Sequence, residues 1–291
     1  KLRGGITLVR SAAAARSLVR RLGADVVVGT GGYVSAPAVL GGRLAGRPAI
    51  LVEPNARAGV ANRFLSRFAR GAALGVAGAA RDLRCPSVVT GVPIRREFAR
   101  VAAPLPSGSR VLVLGGSQGA RRLNELLPAA LASAATRIPG LEVVHQAGER
   151  WIDAARTAYE RAGIVAEVVP FIDDVARAMA EASLIVSRSG ANTLAEIACA
   201  GRPALLLPLA AAGAHQLDNA RAFAAAGAAD VFTDAPASES LVEVLVGLLG
   251  DRPRLERLAS AARGLAKPEA AAAVADLVER AVSAADPGVG R

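Results

Sequence analysis

The stretch SLIVSRSGANTLAEIACAGRPALLLP, Ser183 to Pro208, leaves few folds open to this chain. Leu184, Ile185 and Val186 form an apolar run of the kind that becomes a parallel strand buried on both faces. Ser187 to Gly190 break the run. Helix-forming sequence follows as far as Gly201, with Pro203 beyond it as a stop. Ala204 to Leu207 is a second apolar run. Thr193 and Glu196 have the spacing of a capping box, so the helix is expected to open at Thr193. Ser189 and Gly190 then lie at the carboxyl end of a strand, just ahead of a helix amino terminus. Free amides and the positive end of the dipole suit a phosphate there. Glu196, in the first turn, can accept hydrogen bonds from a ribose diol; the plainer reading makes it a cap only. His215, Gln216 and Asn219 follow the next strand, on the same rim of the sheet.

The same alternation runs through the rest of the chain. Leu8, Ala12, Ala15, Val19 and Leu22 recur at helical spacing, with Arg10, Arg16, Arg20 and Arg21 opposite. The apolar face of such a helix packs on a sheet, and its basic face is free to meet solvent or an anionic membrane surface. Asp25 to Gly29 reads as a strand running into GTGGYVSAP, where Gly31, Gly32 and Tyr33 precede a helix. Pro48 to Val52 is the next strand, with Glu53 and Asn55 at its end and a helix over 59–68. Cys85 to Thr90 is another, leading to Arg95. The prolines and small residues over 99–109 mark a linker. Arg110 to Leu114 then opens directly into GGSQGARRLNELL, where Ser117 and Gln118 can reach a phosphate or a sugar hydroxyl. Val168 to Pro170 is a strand, with Phe171 and Ile172 at its end. Asp173 and Asp174 fall in a first helical turn, where the dipole accounts for both without a metal. His145, at a strand end, reads as structural. Val231 and Phe232 form a last strand, and alternating helices follow from Ser238.

Two blocks of alternating strands and helices call for an α/β chain with two doubly wound, Rossmann-like domains. The expected boundaries are 1–102 for the first domain, 103–267 for the second, and 268–291 for a terminal helix and tail. The chain has 291 residues, 52% of them hydrophobic, enough to bury two cores. No uninterrupted apolar run reaches the roughly 18 residues of a membrane span. Two distant cysteines, Cys85 and Cys199, make neither a disulfide framework nor a zinc site. The formal charge of +10 favours anionic partners. Nucleic acid is not among those expected: aromatic residues are 3%, too few for base-stacking platforms, and no nucleic-acid-binding signature is present. The chain opens on Lys1 and its one methionine is Met179, which leads us to expect a longer parent.

Four segments carry a resemblance: GTGGYVSAP, EPNARAGVANRFL, GGSQGARRLNE, and SRSGANTLAEIACAGRPALLLP with HQLDNA. Together they resemble the MurG glycosyltransferases. The resemblance implies the GT-B architecture, with a first domain incomplete here because the family's first strand and first Gly-rich loop precede the region covered. It implies transfer of N-acetylglucosamine from UDP-GlcNAc to the muramoyl-pentapeptide carried on undecaprenyl diphosphate (lipid I), with inversion, without a metal and without a cofactor. It places the enzyme at the cytoplasmic face of the cell membrane as a peripheral protein. The donor would meet Asn55, Arg95, Ser117, Gln118, Phe171, Ile172, the run Ser189, Gly190, Ala191, Asn192, Thr193, Leu194, Ala195 and Glu196, then His215, Gln216 and Asn219. The acceptor side would hold Gly31, Gly32 and Tyr33. Glu53 is the one carboxylate offered as base; the family's proposed catalytic histidine lies upstream.

The sequence departs from the family pattern at Val52, where histidine is usual, at Pro54 for glutamine, and at Val92 for asparagine. Two alternatives stand beside this reading. One is another GT-B enzyme moving a UDP-sugar to a lipid. The other is a UDP-sugar-binding module without turnover.

Overall fold

The computed structural model describes residues 2–101, 104–116, 119–209, 214–233 and 240–284. The chain divides into two compact units, Lys1–Pro93 with Glu269–Arg291, and Ile94–Pro268.

In the first unit, α1 (Leu2–Arg21) leads to β1 (Val27–Gly29), α2 (Gly32–Leu44), β2 (Ala49–Glu53), α3 (Val60–Leu65), β3 (Gly71–Leu74) and β4 (Ser87–Val89). The four strands form a parallel sheet in the order β1-β2-β3-β4. Val39, Leu51, Leu65, Ala72 and Leu74 make its core. Helix α1 packs across α2 through the stripe read from the sequence, with Ala12 and Val19 buried. Leu22 was expected on that stripe. It stands beyond the last helical residue and is exposed.

The second unit holds β5 (Ser109–Leu114), α4 (Arg121–Ala135), β6 (Leu141–Gln146), α5 (Ile152–Ala162), β7 (Glu167–Val169), α6 (Val175–Glu181), β8 (Leu184–Ser187), α7 (Ala191–Ala200), β9 (Ala204–Leu206), α8 (Ala214–Ala225), β10 (Ala229–Val231), α9 (Leu241–Leu249) and α10 (Arg252–Gly264). Its six strands run parallel in the order β7-β6-β5-β8-β9-β10. Strands buried on both faces must divide alternate residues between two cores. They do: Val111, Val113, Leu184, Val186 and Leu205 join one cluster, and Leu112, Leu114, Ile185, Ala204 and Leu206 the other. Each valine, leucine or isoleucine among them contributes roughly 1.5–3 kcal/mol by leaving water.

The expected α/β class, with two parallel-sheet domains, is what the chain adopts. The expected boundary at 102/103 differs from the observed division because Ile94, Phe98 and Val101 pack into the second unit's core. The terminal helix α11 (Ala270–Ser283) does not stand apart. It packs on β2 and β3 of the first sheet, and Arg70 Nη2 donates to the Ala284 carbonyl at 3.1 Å. The tail from residue 285 lies outside the described residues.

Candidate active site

The second sheet changes direction between β5 and β8. From β5 the chain steps outward to β6 and β7; from β8 it steps the other way to β9 and β10. Such a switch point leaves a crevice at the carboxyl ends of the two central strands. Leu114 pairs with Ser187, so the two loops that leave these strands start side by side.

The loop after β5 is built to lie close to its neighbours. Gly115 N donates to Gln146 O at 3.0 Å. A Cβ on Gly119, whose φ is +71°, would fall 2.3 Å from Ala147 O and 2.7 Å from Trp151 Cδ1. Neither space nor backbone admits another residue there. Asn124, on the first turns of α4, donates from Nδ2 to the same Ala147 carbonyl at 3.0 Å. Ser117 and Gln118, the two polar residues expected to meet the ligand, lie outside the described residues.

The loop after β8 is held from below. Ser189 is buried, and its Oγ donates to Gln216 O at 2.6 Å. Asn219 Nδ2 donates to Ser189 O at 3.2 Å. Gln216 Oε1 accepts from Leu209 N at 3.0 Å, which fastens the segment just after β9 to α8. Gly190, in extended backbone, is the N-cap of α7. The helix therefore opens at Ala191, not Thr193, and the expected capping box does not form. Gly190 O accepts the first helical hydrogen bond, from Leu194 N. The amides of Ala191, Asn192 and Thr193 are left for a ligand. Glu196 consequently sits in the second turn, not the first. Leu194 turns into the core, while Ala195 is half-buried.

One side chain joins the two loops. Arg188 Nη2 donates to Gly115 O at 3.1 Å. It also lines a cavity of about 510 Å³ with Gly119, Arg121, Arg122, Trp151 and Leu209. On the other flank Glu196 meets Arg95 Nη2 at 3.4 Å, and that guanidinium lies over the Phe98 ring at 5.2 Å. Burial raises the Glu196 pKa, and the charge of Arg95 pulls against it. Phe171 is exposed and Ile172 half-buried against the adjoining core. The Nδ1 of His215 is buried without a hydrogen-bond partner among the described residues.

In the first unit, Gly31 (φ +88°) and Gly32 (φ +75°) make the turn into α2, and Tyr33 beyond them is fully exposed. The sequence offers Glu53 as base, but its position gives it another task. Its Oε1 accepts from Asn55 N and Asn55 Nδ2, and its Oε2 from Gly59 N and Asn62 Nδ2, at 2.9–3.1 Å. The residue is 1% exposed. A carboxylate with four donors in place has no lone pair left to take a substrate proton. It clamps the 54–59 loop instead, and the Asn55 amide is engaged in that clamp.

Residues 110–279 match the glycosyltransferase family 28 C-terminal domain, and residues 1–74 match the N-terminal domain of the same family. The UDP-N-acetylglucosamine–N-acetylmuramyl-(pentapeptide) pyrophosphoryl-undecaprenol N-acetylglucosamine transferase of Halorhodospira halophila is 48% identical over 281 residues, 94% of this chain and 77% of the relative. The chain belongs to the MurG family. The enzyme of the same name from Alkalilimnicola ehrlichii is 43% identical, over 92% of this chain and 76% of its own length. Among solved structures, Acinetobacter baumannii MurG matches with a TM-score of 0.79 at 35% identity, covering 95% of this chain and 79% of that one. A UDP-GlcNAc 2-epimerase from Neisseria meningitidis, bound to UDP-GlcNAc, shares the fold alone: TM-score 0.66 at 12% identity, covering 94% and 81%.

Within this MurG-family frame, sequence reasoning missed Arg188, Asn124, Trp151 and Asn62. Arg188 reads in sequence as a strand breaker. The available signal was a charge set between two serines at a buried strand's end. Among the described residues, no group of three or more His, Cys, Asp or Glu side chains could hold a metal ion. Asp174 is the N-cap of α6, its Oδ1 accepting from Arg177 N at 2.9 Å, and Asp173 lies before that helix. No helix among the described residues is long and apolar enough to cross a membrane.

Proposed function

We propose that this MurG-family chain moves N-acetylglucosamine from UDP-GlcNAc to the muramoyl-pentapeptide on undecaprenyl diphosphate, making lipid II at the cytoplasmic face of the membrane. The observation that carries the reading is the pair of loops at the β5/β8 switch point, bridged by Arg188. Its support from relatives lies in their names, which describe that transfer.

The acceptor hydroxyl oxygen attacks the anomeric carbon. The bond from that carbon to the UDP oxygen breaks, its electron pair leaves with UDP, and the configuration inverts. Charge grows on the departing diphosphate, and catalysis consists largely of meeting that charge with dipoles already in place. The free amides at the start of α7 and the Arg188 guanidinium are the groups of the second unit fitted to it. We assign Glu196 to the ribose hydroxyls, with Arg95 holding it in place, and Ile172 and Phe171 to the base. Ser189 and Asn219 act from below, by fixing the loop. The acceptor lies with the first unit, against the turn at Gly31 and Gly32 and the loop that Glu53 clamps. The attacking hydroxyl must also lose its proton, to a base other than Glu53.

The test is direct. The chain is incubated with UDP-GlcNAc and a lipid-linked muramoyl-pentapeptide in detergent, and the product is resolved by mass. Gain of one N-acetylhexosamine by the acceptor, with UDP released in equal amount, is the expected result. UDP release without sugar on the acceptor would reject transfer in favour of hydrolysis. Calorimetric binding of UDP-GlcNAc without any product would leave a binding module.

A further inference from the structure

We propose that Asn62 is a positioning residue for the acceptor half of the reaction, tying the loop that carries Asn55 to the glycine turn ahead of α2. The inference rests on the function proposed above. Asn62 is the third residue of α3 and is 2% exposed. Its Nδ2 donates twice, to the Val52 carbonyl at 3.1 Å and to Glu53 Oε2 at 2.9 Å. Two acceptors on the nitrogen fix which way the carboxamide points. Its oxygen, Oδ1, is buried and has no hydrogen-bond partner among the described residues. A Cβ built on Gly31 would stand 3.5 Å from Nδ2 and 3.8 Å from Oδ1, so the carboxamide lies against the glycine turn.

Four donors converge on Glu53, and three come from the 54–59 loop itself: Asn55 N, Asn55 Nδ2 and Gly59 N. Asn62 is the fourth, and it alone of the four donor groups comes from within α3. Without it, one oxygen of Glu53 would keep a single donor, and the carboxamide lying against the turn would no longer be bonded to the carboxylate that clamps the loop. An asparagine serving packing alone would not be left with a buried oxygen unfilled, since an apolar side chain of that size avoids the loss. Its value is in geometry. The turn at Gly31 and Gly32 is bonded to its own helix through Ser35 Oγ, which donates to Gly31 O at 2.6 Å, and the Asn62 carboxamide beside it sets its relation to the Asn55 loop. An acceptor that touches both meets a surface already set.

The experiment uses the whole chain with Asn62→Ala and Asn62→Asp, following turnover with each substrate varied in turn and UDP binding by calorimetry. Asn62→Ala is expected to raise the KM for the lipid-linked acceptor about tenfold or more and to lower kcat. Its UDP affinity should stay within about twofold, because the groups assigned above to the diphosphate, ribose and base of UDP lie in the other unit. Asn62→Asp sets a second carboxylate beside Glu53, and the two can share a hydrogen bond only when one holds a proton. Its kcat/KM for the acceptor, taken relative to the unsubstituted chain, should therefore recover as the pH is lowered from about 8 to about 6. An unchanged acceptor KM in an Asn62→Ala chain that binds UDP normally overturns the proposal. A flat ratio across pH in Asn62→Asp does the same, and decides the matter if Asn62→Ala does not fold. Absence of turnover by the unsubstituted chain would sink the parent function, and is told apart from both.

Discussion

Glu196 shows how one residue's setting governs what it can do. Its carboxylate is mostly buried, which favours the proton, and beside Arg95, which favours the charge. If it accepts hydrogen bonds from a ribose, Glu196→Ala removes bonds to a charged group, roughly 1.5–3 kcal/mol. UDP affinity should fall about 10- to 100-fold with acceptor KM little changed, as calorimetry and a kinetic series would record. An unaltered UDP affinity would take Glu196 out of the site. His145 makes a second case. It is fully buried on β6, its Nδ1 is 2.9 Å from the Tyr159 hydroxyl, and burial lowers its pKa to about 4. The unfolded chain takes up that proton near pH 6.5. The neutral ring's contribution is therefore complete above pH 6.5 and drains away as the pH falls through about 4. The expected loss is about 3 kcal/mol, visible as a falling urea midpoint. His145→Phe should start from a lower stability yet lack that part of the slope.

At the scale of elements, the loop after β5 is the most exacting. Gly119→Ala asks for a left-handed alanine with its methyl inside the Ala147 carbonyl. The strain alone costs about 1–2 kcal/mol. The loop can escape only by leaving β6, so UDP binding should fall together with the urea midpoint; a folded variant with unchanged binding would contradict the site. Elements such as β5 and β8 were legible because each holds a short uninterrupted apolar run, Val111 to Leu114 and Leu184 to Val186, with a glycine-containing loop after it. Strand β3 was not. Gly-Ala-Ala-Leu carries no β-branched or aromatic side chain, and it becomes a strand because it slots between β2 and β4. The start of α7 was misplaced for a related reason. The Thr193–Glu196 spacing is right for a box, yet Gly190 is already extended and already receives Leu194 N, so the box has no terminus to cap. Glu53 was legible as a carboxylate at a strand's end, offered as base, but not as a clamp, because two of its four donors are backbone amides and two are asparagine side chains whose pairing spacing does not reveal. Arg188 was hidden likewise: its acceptor is a carbonyl 73 residues away.

For the molecule as a whole, charge sets the terms of association. At +10, with arginines along the exposed face of α1, the chain should bind vesicles of anionic phospholipid and leave neutral ones. Co-sedimentation should weaken steeply as salt is raised towards 1 M, where the Debye length shrinks to about 3 Å. Retention at high salt would point to apolar insertion instead. The path of the chain has its own outcome. Because α11 returns to β2 and β3, the second unit is in effect an insertion within the first. On the ribosome, the first sheet emerges early but its last covering helix arrives only after every strand of the second. The unit made first is thus completed last, and for that interval its sheet lacks the helix that packs on β2 and β3.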